Sequence, residues 1–377
     1  MKVVFAVVLA KCPTSSAGHT CAIMNWALSF RAMGWDVWLV EHLDGEERAV
    51  REDGGSIQED FWRETCAEFG FSDRQCLIVD GASSELGAFR EFAAGADLFF
   101  NYSGQFRRFD LLGPRTVKCY MDVDPGFTQL WAETCGVDMN FEGHDRFLTV
   151  GTNLNGPDVL LPPSSRPWIP VAPPVATDYW RKIADNPSSS PGHWSTVSHW
   201  YGYNDLVWEG RTYGGKRNTL LELRDLPQKL GQPIVIATDL AASWGHDYDE
   251  FVAAGWLIES ATEVCRDVPT YLKFLSGSLG ELGIAKQGYL VSRGGWISDR
   301  SVTYLAFGRP VLLQDTGWTA TIPPGPGLLP FMNADDAVAR ISEIGKAYDE
   351  HREEARQLAA TTFSPRGVLE PLLTKIL

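Results

Sequence analysis

Cysteine is scarce in this 377-residue chain: there are seven, an odd number, and no Cys-x-x-Cys pair. That excludes a fully paired disulfide framework and a zinc ribbon, and a reducing cytoplasm is the expected location. Basic residues are also short, with 33 Lys plus Arg against 48 Asp plus Glu for a formal charge of -15. Tracking of nucleic-acid phosphates and attraction to an anionic bilayer both draw on Lys and Arg, so neither partner is expected. No stretch approaches the roughly 18 apolar residues of a membrane span, and membrane insertion is not expected. The apolar run at 3–10 is only strand-length, and Lys11 before Cys12 spoils a lipoprotein-like box, so the run reads as a buried strand rather than a leader. The first turn also lacks the G-x-G-x-x-G fingerprint of a nicotinamide dinucleotide enzyme.

What the chain does contain is a steady alternation of β-branched runs and helical periodicity. Residues 3–10 suit a central parallel strand buried on both faces. Ile23, Ala27, Leu28, Phe30 and Met33 recur at helical spacing over 20–33, with Gly34 in the left-handed cap position. A strand at 37–41 completes a β-α-β unit, which predicts a parallel sheet with right-handed crossovers. Further strands are expected at 76–79, 97–101, 116–122 and 147–150. Prolines then crowd the stretch from Pro162 to Pro191, which suits a connector. A second series follows, with strands at 196–198, 233–238, 256–258, 289–292 and 310–314 and helices at 216–230, 269–279, 299–307, 334–359 and 366–376.

The expected fold class is therefore α/β, as two Rossmann-like doubly wound domains facing a cleft. The boundaries read as 1–165 for the first Rossmann-like domain, 166–192 for the connector and 193–362 for the second. A helix at 363–377 is expected to return to the first domain. Ligand crevices of such sheets open at the strand carboxyl ends. Residues 1–165 hold 13 basic and 24 acidic residues and the remainder 20 and 24, so an anionic ligand belongs to the second half.

The segment Arg293-Gly294-Gly295-Trp296-Ile297-Ser298-Asp299 joins a glycine turn to a helix start, where free backbone N–H groups and the helix dipole favour phosphate. Gly294 and Gly295 let the backbone approach closely, Ser298 adds a hydroxyl, and Arg293 offers a fork suited to a diphosphate. Lys286 stands a few residues upstream as a further cation. This segment, with the Ala306-Phe307-Gly308-Arg309-Pro310-Val311-Leu312 strand entry after it, resembles the donor box of GT-B glycosyltransferases, in particular the inverting sugar-nucleotide class with an HCGWNS signature. The resemblance puts Arg293 in place of that class's phosphate-binding His and matches Gly295, Trp296 and Ser298 directly. It sets Gln314 and Asp315 at the donor sugar, with Trp256 and Trp200 near the nucleotide. Ile297 and Ser301 depart from the Asn and the ribose-binding Glu of the pattern, which leaves the nucleotide open.

Gly18-His19-Thr20 resembles the same class's opening Gly-His motif. That implies His19 as the general base and an Asp about a hundred residues on as its partner. Asp122 fits that distance and Asp124 competes with it. Their Asp-x-Asp spacing also suits a metal, although the GT-B architecture usually works without one. Asn101, Ser103, Phe106, Asp124 and Phe127 are the expected acceptor contacts.

The implied activity is inverting transfer of a hexose from a UDP- or TDP-linked donor to a small-molecule acceptor of the natural-product kind. It would need no cofactor or metal beyond that co-substrate and would run in a monomer or homodimer. Two other readings stay open: an epimerase or retaining transferase on the same fold, and a catalytically silent glycosyltransferase-like partner protein.

Overall fold

The computed structural model describes residues 1–377 except Ser15, Glu52, Asp53, 184–191, Ala242 and Trp244. Pro187, Ser188, Ser189, Ser190 and Pro191 of the expected connector therefore lie outside the described residues. The first domain carries strands β1 (Lys2–Ala6), β2 (Asp36–Leu43), β3 (Gln75–Val79), β4 (Leu98–Tyr102), β5 (Val117–Asp122), β6 (Arg146–Thr149) and β7 (Trp168–Pro170). Between and after them run helices α1 (Ala17–Ala32), α2 (Ile57–Glu68), α3 (Leu86–Ala94), α4 (Phe127–Thr134) and α5 (Thr177–Ile183). The strands form one parallel sheet in the order β3-β2-β1-β4-β5-β6-β7. This sheet reaches into the stretch read as connector, because Trp168 buries its ring among Tyr120, Phe141 and Phe147.

The second domain opens with β8 (Trp194–Ser198) and a hairpin of β9 (Leu206–Trp208) and β10 (Arg211–Tyr213). Helices α6 (Lys216–Glu222) and α7 (Leu226–Leu230), β11 (Ile234–Thr238), α8 (His246–Ala253) and β12 (Trp256–Ser260) follow. Next come α9 (Ala261–Val264), α10 (Val268–Gly277), β13 (Gly280–Gly283), α11 (Gln287–Ser292), α12 (Asp299–Ala306), β14 (Val311–Gln314) and β15 (Leu328–Phe331). Helices α13 (Ala334–Lys346), α14 (Tyr348–Ala360) and α15 (Pro365–Ile376) close the chain. The main sheet is parallel in the order β12-β11-β8-β13-β14-β15. None of the described helices is long and apolar enough to cross a membrane.

One departure from the sequence reading moves the site. Residues 289–292, read as a strand, lie in helix α11, and the strand is β13, about ten residues earlier. Gly280-Glu281-Leu282-Gly283 has no apolar run to announce a strand. Both glycines are required, since a Cβ at Gly280 would lie 2.5 Å from the Pro310 carbonyl oxygen and one at Gly283 2.6 Å from Leu313. The helices read at 216–230 and 334–359 are each two helices, the first broken before Pro227 and the second at Ala347.

The two domains share one core. Helix α1 contributes Ile23, Met24, Ala27 and Phe30 to a buried cluster that also holds Leu272, Val302, Leu305 and Leu369 from α10, α12 and α15. Asn25, fully buried on α1, accepts from Ala176 N at 3.0 Å and Trp180 Nε1 at 2.6 Å and donates to Thr303 Oγ1 at 3.4 Å. A single side chain thus joins α1, the connecting segment and the second domain.

Candidate active site

In an open parallel sheet the crevice lies beyond the strand carboxyl ends, where the strand order reverses. That point falls between β1 and β4 in the first sheet and between β8 and β13 in the second. The loops leaving those four strands frame a cleft of about 660 Å³. From the first domain come Thr14, Ser16 and His19 after β1, and Tyr102 from the end of β4. From the second come Ser198 after β8, Lys216 at the start of α6, Lys286 after β13, and Trp296, Ser298, Asp299 and Arg300 at the start of α12.

The β1–α1 loop is pinned from behind. Glu41 on β2 accepts the backbone N–H groups of Leu9 and Ala10 on one oxygen, at 2.7 and 2.8 Å, and that of Lys11 on the other at 3.1 Å. Burial pushes this carboxyl up to about 7, against the pull of those three bonds.

His19 sits in the first turn of α1, half-buried, with Nε2 at 2.5 Å from the Val8 carbonyl oxygen. A carbonyl oxygen only accepts, so Nε2 carries the proton and Nδ1 keeps its lone pair. Burial holds the imidazole below its usual value, and the Val8 bond and the Asp299 charge offset this in part. The group is a neutral base at neutral pH.

Three basic side chains line the cleft with His19. Arg300 donates Nε to Glu281 at 2.6 Å and Nη1 to the Val197 carbonyl at 2.7 Å, while its buried Nη2 has no described partner. Lys286 pairs with Asp124 at 2.6 Å and lies 3.9 Å above the Tyr203 ring. Lys216 makes no hydrogen bond or ion pair among the described residues and lies 5.9 Å from the Trp296 ring centre. Burial first, then the charges of Arg300 and Lys286, holds the Lys216 amine well below its ordinary value.

Of the residues expected from sequence, the cleft gathers His19, Lys286 and Ser298. Asp122 does not reach His19. Its oxygens accept from Asp124 N, Thr128 Oγ1, Gln129 Nε2 and Thr149 Oγ1 at 2.6 to 3.1 Å, so it ties β5 to β6 and α4. Asp124, expected at the acceptor, receives Lys286 and the hydroxyls of Tyr203 and Tyr289, all from the other domain. Burial pushes its carboxyl up, but the Lys286 charge and these bonds outweigh that and hold it below the usual range. Both carboxylates of the Asp-x-Asp pair are thus engaged by protein donors.

The glycine turn is not a phosphate cradle either. Arg293 turns its guanidinium to Asp158 of the first domain at 2.6 Å. The Gly294 and Gly295 carbonyls accept from Asn153 N and Thr152 N at 3.0 Å, and Gly295 N donates to Thr316 O at 2.9 Å. These glycines seal the domains together, leaving Trp296 and Ser298 to line the cleft. Gln314 is buried and accepts from Ala285 N at 2.9 Å, while Asp315 caps its own turn through Gly317 N and Thr319 Oγ1. Trp200 and Trp256 are core residues packed on Phe251. Asn101 is buried and clamps Phe106 through both backbone groups, Phe106 is core, and Phe127 packs between Trp131, Tyr203 and Tyr289. Ser103 follows β4 with φ 58° and does not line the cleft, whereas Tyr102 beside it does.

The sequence reading missed Lys216, Asp299 and Arg300. Gly214-Gly215-Lys216, a glycine pair at a helix start, was a usable signal for the first. Asp299 ended the segment already singled out, one residue past the matched Ser298, and Arg300 follows it directly.

No family model matches the chain, and no curated protein matches it in sequence. Solved structures share its whole architecture. An alpha-glucosyltransferase in complex with UDP-glucose and DNA containing an abasic site aligns with a TM-score of 0.60 at 12% identity, covering 100% of this chain and 98% of that one. AviGT4, a glycosyltransferase involved in avilamycin A biosynthesis, aligns at 0.54 and 13%, covering 100% and 97%. A glycosyltransferase from Rickettsia africae ESF-5 aligns at 0.53 and 12%, with the same coverage. The chain has the two-domain GT-B fold.

Proposed function

We propose that this protein is a nucleotide-sugar-dependent glycosyltransferase that holds a UDP-linked sugar in the interdomain cleft and passes the sugar to a small-molecule acceptor. The observation that supports this best is the unpaired Lys216, set with Arg300 Nη2 and Lys286 around the start of α12. A diphosphate would supply the anion that Lys216 lacks and an acceptor for Arg300 Nη2. Structural neighbours were solved with UDP-glucose or UDP bound, which favours uridine in the donor. One was solved with DNA, but a formal charge of -15 disfavours a nucleic-acid acceptor here. All seven thiols are free, which suits a reducing compartment.

In the reaction, His19 Nδ1 takes the acceptor hydroxyl proton while that oxygen forms its bond to the anomeric carbon. The bond from the anomeric carbon to the diphosphate oxygen breaks, and the leaving group departs with the electron pair into the Lys216, Lys286 and Arg300 pocket. Attack from the face opposite the diphosphate gives inversion, which NMR of the product's anomeric configuration checks. Titration calorimetry with UDP is the direct test. Lys216→Ala should weaken UDP binding roughly 10- to 100-fold, the value of one charge-assisted contact. Arg293→Ala should leave it unchanged. No UDP binding by the wild-type protein, or the reverse ranking of the two variants, would overturn the assignment.

A further inference from the structure

Every lysine, arginine and acidic residue that lines the described cleft belongs to the second domain. Around His19 the first domain offers hydroxyls and a thiol instead. Tyr102 ends β4, is 6% exposed, and stands edge-on to His19 with ring centres 6.3 Å apart. From the second domain, Tyr271 on α10 reaches the same turn. It is 2% exposed, and its hydroxyl oxygen would lie 3.4 Å from a Cβ added at Gly18, the residue before His19. Neither phenol hydroxyl has a hydrogen-bond partner among the described residues, although both side chains are more than nine-tenths buried and line the cleft. Ser16, 9% exposed at the start of α1, does not spend its hydroxyl on capping that helix. Buried hydroxyls normally find partners, as those of Tyr213, Tyr289 and Tyr304 do here. Burial pushes the Tyr102 and Tyr271 phenols well above their usual value, so each is a neutral group that both donates and accepts.

We infer that Tyr102 and Tyr271, one from each domain, hold hydroxyl groups of the acceptor beside His19, and that the acceptor is a neutral polyhydroxy compound rather than an amine or a carboxylic acid. This rests on the transferase reading above, with His19 as the base. An ammonium group would find no carboxylate on the described wall of the first domain, and Lys216 and Lys286 line the cleft beyond it. A carboxylate would compete with the diphosphate for those same lysines. A hydroxyl-bearing ligand instead completes the hydroxyls that the protein leaves open, and a site built for such bonds rejects ligands that cannot make them.

Methyl glucoside, methyl glucosaminide and methyl glucuronide share a ring and differ in charge, so they separate the three classes. Saturation-transfer NMR titrations of the intact protein, with and without UDP, should give methyl glucoside the tightest binding. Tyr102→Phe and Tyr271→Phe should each weaken that binding roughly 2- to 10-fold, the contribution of one neutral hydrogen bond. UDP affinity and Tm should hold in both variants, because neither hydroxyl has a protein partner to lose. The inference is overturned by tighter binding of the amine or the acid, by binding of none of the three, or by Phe variants that bind methyl glucoside as the wild type does. A lowered Tm in both variants overturns it too, since the hydroxyls then serve the fold, as does a loss of UDP affinity in place of glucoside affinity. If methyl glucoside binds through the two phenols and UDP does not bind at all, the transferase reading falls while the hydroxyl site stands.

Discussion

Lys216 shows how one side chain can report on the whole site. Half-buried near the charges of Arg300 and Lys286 and without a hydrogen-bond or ion-pair partner among the described residues, its amine is held well below the ordinary lysine value. A bound diphosphate reverses the sign of the local potential and lifts that value. In the pH window between the two, UDP binding should therefore take up a proton, and affinity should fall as pH rises through the window. Calorimetry in buffers of different ionisation enthalpy reads the uptake, and Lys216→Met should abolish it. Arg293 is the instructive contrast. Its residue type and place in a glycine turn are those of a phosphate ligand, yet Asp158 claims its guanidinium. His19 was legible from sequence because a histidine after a glycine at the first strand-to-helix turn has few ways to avoid the cleft. Asp299 in the cleft wall was not, because a carboxylate at a helix start reads as an ordinary first-turn acid.

At the scale of elements, the glycine turn was found and its use was misread. A paired glycine before a helix start has the same local pattern whether it cradles a phosphate or a neighbouring backbone. Here loop 151–154 fills the space: Gly151 bridges to Trp296, and a Cβ added at Gly295 would strike Asn153 N. Gly295 also holds φ 80°, a conformation L side chains rarely adopt. Gly295→Ala should therefore cost more than about 1 kcal/mol and lower Tm, read by thermal unfolding, by loosening the domain contact. The error began with an element. Tyr289-Leu290-Val291 is apolar enough for a strand, but Gly280 and Gly283 let β13 pass close to Pro310 and Leu313, and the chain needs only one strand there. Moving the strand back moves its carboxyl end, and with it the crevice, to Lys286.

For the molecule as a whole, the domains meet on two flanks of the cleft, through the glycine turn on one side and α1 with α10 and α12 on the other. Asn25 is the polar tie of the second flank. Asn25→Ala would leave the Ala176 N–H and the Trp180 indole N–H buried without an acceptor, a loss of roughly 2 kcal/mol or more. Its unfolding should show a lowered Tm, and the two domains should no longer melt as one unit in calorimetry. The acidity of the first half does not extend to its described cleft wall, which carries hydroxyls, a thiol, an imidazole and a phenol but no carboxylate. Composition counts the surface, whereas the cleft is lined by a few residues that the count cannot weigh. Alternating periodicity was enough to indicate two parallel sheets and the turn that carries His19, since β-α-β alternation and a strand-to-helix turn are local patterns. Only the tertiary structure decided where Asp122 and Asp124 are spent, which basic side chain lacks a partner among the described residues and what the glycines touch. Most of those facts depend on groups a hundred or more residues apart, and local pattern carries no record of what another domain brings to the same place.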